Sequence, residues 1–163
     1  MNKLFLLMAI AVITMACTPS PKHAGNLSMT VKDYQAAVTY YEDALKQNPD
    51  SVILLTNLGR AYYNLGEYDK AGKKFTAATQ VQPGYPQAVF YLGLTTLAQD
   101  DRAAGFGILT NFRYPGKPEV TRSVTSMARQ LSGNTEATTD YLIDKMIQAW
   151  TEGMTMDKQV DFK

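Results

Sequence analysis

From Asp33 to the end of the chain, apolar side chains return every three or four positions, the spacing that places them on one face of an α-helix. Short polar or proline-containing breaks divide this pattern. Pro49 and Pro83 follow two of the periodic runs, and a residue before proline disfavours the α conformation, so helices are expected to end there. Gly66-Glu67-Tyr68 and Gln99-Asp100-Asp101 read as turns between helices, and Pro115 and Pro118 close the next run. Two further helices are predicted beyond them. Glu119 to Leu131 sets Val120, Val124, Met127, Ala128 and Leu131 on one stripe. After Ser132-Gly133-Asn134, Thr135 precedes a longer helix with Leu142, Ile143, Met146, Ile147, Trp150 and Met154 facing inward and Asp140, Asp144, Lys145, Gln148 and Glu152 facing out.

The periodic runs also repeat one another. Ala37, Tyr41, Ala44 and Pro49 return as Ala71, Phe75, Ala78 and Pro83, and Leu58-Gly59 returns as Leu92-Gly93, each thirty-four positions on. One shared period across two helices marks a repeat architecture. The unit from Val52 to Tyr85, with Leu55, Leu58-Gly59, Tyr62, Ala71, Phe75, Ala78 and Pro83, resembles the tetratricopeptide-repeat (TPR) family. Gly59 and Ala71 are small so that two antiparallel helices can approach, and Tyr62 and Phe75 fill the space around them. The flanking units are less complete. In the third, Gly105, Leu109 and Phe112 replace an alanine, an aromatic and a small residue. The first keeps only a second helix, about Lys32 to Gln47. The resemblance implies an all-α, right-handed α-solenoid of about seven helices, about three repeats plus a C-terminal capping helix of the kind that keeps such arrays soluble.

The first thirty residues differ in character. Lys3 followed by the apolar run Leu4 to Ile13 reads as a signal peptide over 1–16, too short to span a bilayer. Ile13-Thr14-Met15-Ala16-Cys17 resembles a bacterial lipobox, which implies acylation of Cys17 as the mature N-terminus. The alternative is an ordinary cleaved leader with an incidental cysteine. Several acyl chains would anchor the protein firmly, since each buried CH₂ contributes about 0.8 kcal/mol. Pro19, Ser20, Pro21 and Gly25 make residues 17–31 a flexible tether in this reading, with a reach of roughly 30 Å. His23 has no Cys, His or carboxylate near it in sequence and is expected to be solvated. The remaining boundaries are TPR repeats over 32–118, a degenerate repeat and capping helix over 119–153, and a tail over 154–163.

Composition narrows the chemistry. The chain of 163 residues is 45% hydrophobic, a globular proportion. Without Lys3 its sixteen Lys and Arg fall to fifteen, equal to its fifteen Asp and Glu, so nothing suggests a nucleic-acid partner. Cys17 is the only cysteine, which excludes an internal disulfide and a Cys-based metal site. There is no nucleophile elbow, phosphate loop or metal-spaced cluster, and Glu42-Asp43 and Asp100-Asp101 are adjacent pairs that read as solvated charge. The sequence points to no enzyme, no cofactor, no metal and no small-molecule substrate.

What the resemblance implies is a protein or peptide partner held on the concave face built by the first helix of each repeat. The family's groove positions fall on Ile53, Thr56, Arg60, Tyr63 and Asn64 of one helix and on Gln87, Phe90, Leu94 and Leu97 of the next. Such a face suits a segment with apolar anchors and an acidic residue opposite Arg60. The charged groove that clamps a carboxylate in some cytosolic TPR proteins is only faintly present, through Asn57 and Arg60. The alternative is that the chain's own helices bury part of the set. With the lipobox, the pattern resembles outer-membrane, periplasm-facing TPR lipoproteins: pilotins and tight-adherence pilus assembly lipoproteins, or, alternatively, adaptors that recruit a periplasmic peptidase or cell-wall hydrolase.

Overall fold

A computed structural model describes residues 20–160 of the chain. Cys17 and the leader lie outside the described residues, as do 161–163. Eight helices follow in order among the described residues: α1 Pro21–Thr30, α2 Tyr34–Gln47, α3 Val52–Asn64, α4 Tyr68–Val81, α5 Pro86–Ala98, α6 Arg102–Thr110, α7 Pro118–Ser132 and α8 Thr139–Val160. Each packs on its sequence neighbour, and α8 also packs on α5.

Local chemistry sets the helix starts. The Asp33, Ser51 and Asp101 side chains accept hydrogen bonds from the N–H groups of Ala36 (3.0 Å), Leu54 (3.4 Å) and Ala104 (3.0 Å), capping α2, α3 and α6. Proline opens α1, α5 and α7, where its missing N–H costs nothing and its fixed φ already suits a helix. The turn between the two helices of each repeat needs one residue with positive φ. Gly66 supplies it at 74°, but Lys32 (61°) and Asp100 (62°) hold the equivalent places against a side-chain penalty.

Packing explains the thirty-four-residue period. A Cβ on Gly59 would stand 2.7 Å from the Phe75 ring, and one on Gly93 would stand 2.6 Å from the Leu109 side chain. In both repeats the first helix lies against a large residue of the second with no room between them. The same contact occurs once more upstream, where a Cβ on Gly25 would stand 2.6 Å from Tyr41. The expected tether is therefore corrected: Pro21–Thr30 is a helix, and it completes the first repeat. Pro21 sits in its first turn, where proline is compatible with a helix, and Gly25 is the close-approach residue rather than a hinge. Tyr41 Oη donates to Asn26 Oδ1 at 2.8 Å, fixing α1 on α2. His23 is exposed on α1, with Nδ1 2.9 Å from Ser20 Oγ.

The buried side chains form two clusters. Tyr41, Leu58, Tyr62 and Phe75 centre the first, and Phe90, Leu94, Phe112, Val124 and Met146 the second. The second cluster accounts for the drift of the third repeat. α6 ends at Thr110, and Phe112 leaves the helix to pack against both Phe90 and Trp150, with ring centroids 6.1 and 5.7 Å away.

The C-terminal end needs two corrections. The last helix starts at Thr139, because Asn134 Oδ1 accepts from Ala137 N–H and holds the preceding residues in a turn. It continues through residues 154–160, where a tail was expected. The cause is Asp157, only 4% exposed, whose carboxylate accepts from the backbone N–H groups of Glu119 (3.1 Å) and Val120 (3.0 Å). These are orphan donors of the first turn of α7, and Lys117 at the N-cap has no oxygen to accept them. Gly153 permits the contact, since a Cβ there would lie 2.5 Å from Val120 Cα.

Candidate functional site

The inner wall of the solenoid is built from α1, α3, α5 and α8, and it divides into a covered half and an open half. α8 runs antiparallel to α5: Thr139 Oγ1 donates to Asp100 Oδ1 (2.8 Å) just past the end of α5, and Trp150 lies against Phe90 near its start, centroids 4.4 Å apart. This placement removes part of the expected groove. Phe90 is 2% exposed and Leu94 and Leu97 are fully buried, Phe90 against Trp150 of α8 and Leu97 against Gly105 of α6, so these three belong to the core and offer nothing to a partner. Thr56 is buried as well, and its Oγ1 donates to the Val52 carbonyl at 2.7 Å. Gln87 is half-buried, its amide donating to Tyr114 Oη at 3.2 Å.

The open half lies along α3. Ile53 and Asn64 are exposed, and the Asn64 amide donates back to the Arg60 carbonyl at 2.7 Å. Tyr63 is half-buried, packed edge-on to Tyr68 (5.5 Å) and Tyr91 (5.8 Å). Its burial, followed by the neighbouring tyrosines and by the Asp144 and Asp140 charges of α8, raises its pKa. Arg60 is the centre of the site. Its guanidinium carbon lies 5.2 Å from the Tyr91 ring centroid, a cation–π contact that holds the group from α5. Its Nε is buried and has no hydrogen-bond partner among the described residues. An orphaned buried donor costs about 1–3 kcal/mol, more when charged, and an incoming acceptor would remove that penalty.

On the α1 side Arg60 borders a cleft of about 330 Å³ with Asn26, Met29, Thr30, Tyr41 and Asn57. Asn26 Oδ1 accepts from Tyr41 Oη and, at 3.4 Å, from Asn57 Nδ2, so the two amides meet at its mouth. Burial raises the Tyr41 pKa against the opposing Arg60 charge, so this phenol is neutral at neutral pH, as an ordinary tyrosine is. The cleft thus presents neutral polar groups and one cation, the setting for a carboxylate or other small anion.

Sequence reasoning found Arg60 and Asn57 and missed Asn26 and Tyr91. Asn26 was legible: Gly25 precedes Gly59 by the same thirty-four positions that separate Gly59 from Gly93, so the period already marked a first helix. Tyr91 carries no such signal, because its role depends on where α5 lies relative to Arg60. The larger cleft on the opposite face, about 610 Å³ beside Arg102 and Phe106, is less suited to an anion. Arg102 is committed there to its own chain, donating to the Ala137 carbonyl at 2.7 Å. Among the described residues no group of three or more His, Cys, Asp or Glu side chains could hold a metal ion.

Comparison with known proteins agrees with this geometry. A tetratricopeptide-repeat family model matches residues 24–88 and again 57–104. The small glutamine-rich tetratricopeptide repeat-containing protein 2 of Saccharomyces cerevisiae is 36% identical over 78 residues, covering 48% of this chain and 22% of that one. The heat-shock protein cognate co-chaperone sgt12 of Aspergillus fumigatus is 36% identical over 80 residues, 49% of this chain and 24% of that one. The chain therefore spans about a quarter or less of these relatives. Among solved structures, the TPR2B domain of yeast Sti1 in complex with pHsp70 aligns with a TM-score of 0.55 at 15% identity, covering 81% of this chain and 94% of that one. The Sgt2 TPR domain of Aspergillus fumigatus aligns with a TM-score of 0.54 at 24% identity, covering 91% and 86%. Residues 24–104 are tetratricopeptide repeats, and the described chain folds as an all-α solenoid of that type, a scaffold for binding other proteins.

Proposed function

We propose that the chain is a non-catalytic adaptor that holds an acidic segment of a protein partner against Arg60, and that acylated Cys17 fixes it to the outer membrane on its periplasmic side. The observation that carries the first half is the half-buried Arg60 guanidinium, without a carboxylate partner among the described residues and flanked by the Asn26 and Asn57 amides. A carboxylate entering there gains charge-assisted hydrogen bonds and satisfies a donor the fold leaves orphaned. The anchor is supported by Ile13-Thr14-Met15-Ala16-Cys17 in the sequence. In this reading the protein assists the assembly or localisation of a pilus or secretion complex of the envelope.

The test for binding is fluorescence polarisation with peptides matched in apolar content and differing by one carboxylate. Acidic peptides should bind, and Arg60→Gln should weaken them about tenfold, roughly the 1.4 kcal/mol of one charge-assisted contact. Equal binding by the variant would remove Arg60 from the site. For the anchor, Cys17→Ser should move the protein from the membrane to the soluble fraction, whereas an unchanged distribution would sink it. A chaperone adaptor is the second reading, favoured by the Asn26–Asn57–Arg60 cluster and by the likeness to a domain whose structure is described as a pHsp70 complex. Capture of an Hsp70-type chaperone, a pilus or secretion component, or a cell-wall hydrolase from the intact cell separates these readings and the hydrolase-adaptor alternative.

A further inference from the structure

The acidic-segment reading concerns α1 and α3, but the groove has a second wall that the repeats do not supply. α8 was expected to bury Ile147, yet this side chain is 40% exposed. It shares a stripe with Asp140, Asp144 and Thr151, spaced three and four residues apart and all exposed. The stripe lies far round the helix from Gly153, where α8 meets α7, and nearer to Trp150, where it meets α5. It therefore borders the channel between α8 and α3. The Asp140 and Asp144 charges also contribute to the raised pKa of Tyr63, in keeping with that placement.

Antiparallel packing orders the two walls. The repeat sets Arg60 and Tyr63 of α3 at the heights of Leu94 and Leu97 of α5, and the Trp150–Phe90 and Thr139–Asp100 contacts fix α8 against α5, so the Asp140–Asp144 turn falls at the level of Tyr63 and Ile147 near that of Arg60. The channel thus has a cation at its middle, an exposed aliphatic side chain at about that level on the other wall, an aromatic floor at Tyr91, and two carboxylates at one end with no ion pair to other described residues. Those opposite charges are offset by one or two helical turns, on the order of 5–10 Å, the length of two or three residues of extended peptide.

We infer that α8 makes the groove directional: the partner segment is an extended peptide whose acidic residue meets Arg60 and whose basic residue, two or three positions away, meets Asp140 and Asp144, with an apolar side chain between them on Ile147. This rests on the acidic-segment reading above and adds the second charge and the polarity. A peptide entering in reverse would bring its basic residue away from the acidic lip and lose the pairing, so electrostatics select one orientation.

The experiment pans a randomised dodecapeptide library on phage against the full folded protein, against Asp140→Asn/Asp144→Asn and against Arg60→Gln. All three substituted side chains lie outside the fully buried core, and helix content and melting temperature confirm that each variant is folded. Selection on the wild type should enrich an acidic and a basic residue at a fixed offset of two or three positions. For one such peptide the double variant should lower affinity about three- to tenfold. Replacing the peptide's basic residue with Met should abolish that difference. Wild-type peptides with an acidic preference and no basic one, bound equally by the double variant, would overturn the inference and leave the acidic-segment reading standing. Enrichment independent of Arg60, or no enrichment, would overturn both.

Discussion

Replacing Asp157 with alanine should undock the C-terminal helix. Its carboxylate is the acceptor for two backbone donors, Glu119 N–H and Val120 N–H at 3.1 and 3.0 Å, and it is 4% exposed, so water cannot replace it without opening the helix pair. Hydrogen bonds to a charged group contribute about 1.5–3 kcal/mol each, and a negative charge at a helix N-terminus adds about 0.3–1 kcal/mol. Allowing for partial rehydration of the exposed donors, Asp157→Ala should cost about 3–5 kcal/mol, a large part of the roughly 5–15 kcal/mol that holds a domain folded. Asp157→Asn keeps one acceptor oxygen and should lose about half as much. Trp150 reports the event directly, because it is the only tryptophan and lies on α8 against Phe90, Phe112 and Tyr114. In urea, the Asp157→Ala fluorescence midpoint should fall below the midpoint read by far-ultraviolet circular dichroism, as α8 leaves before the repeats unfold. A variant within about 0.5 kcal/mol of the wild type by both probes would refute the reasoning.

Three further outcomes follow from positions described above. Lys32→Gly should raise stability by about 1 kcal/mol in urea melts, since Lys32 holds a φ of 61° that glycine adopts freely; no gain would mean the turn is unstrained. Gly153→Ala should destabilise by about 1–3 kcal/mol despite better helix propensity, because its Cβ would meet Val120 Cα at 2.5 Å, whereas Gly107→Ala, with open space around it, should stabilise by about 0.5–1 kcal/mol. Equal signs for the two would contradict the packing argument. Burial raises the pKa of Tyr41, Tyr62, Tyr63 and Tyr85, with the Tyr62 hydroxyl also donating to Glu42 at 2.6 Å. The unfolded chain releases these protons from about pH 10, while the folded chain holds them, so stability should be level below pH 10 and fall above it. Absorbance at 295 nm should show late-titrating tyrosines that ionise together with loss of helix; uniform reversible titration near pH 10 with helix retained would contradict this.

The repeats were legible because their packing uses residue types that recur. Gly59 against Phe75 and Gly93 against Leu109 leave a small–large signature at fixed spacing, and the helix ends follow from Asp33, Ser51, Asp101 and the prolines. The same signature sits at Gly25 and Tyr41, but Pro19, Pro21 and Gly25 in quick succession have the composition of a linker. Local composition there outweighed a periodic contact that pairs residues on two different helices. The groove was legible only in part, for a different reason. Phe90 does stand on the inner face of α5, but whether that face meets a partner or the chain itself depends on α8, and Leu97 is taken up by Gly105 of α6. The docking of α8 is written in Gly153 and Asp157, a glycine and an acid within a helix, neither of which announces a buried contact until Val120 and Glu119 are brought against it. Ile147 shows the converse: an apolar residue on an inward-reading stripe that the fold leaves 40% exposed.

The most direct test of the account is position-resolved photocrosslinking in the intact cell at native expression, with the probe placed at Asn57 or Asn64 on the channel wall, or at Ala103 on the opposite face. The account predicts that one protein is captured from both channel positions, that Arg60→Gln abolishes its capture, and that Ala103 does not yield it. Capture of that protein from Ala103 alone, or capture from the channel that survives Arg60→Gln, would contradict it.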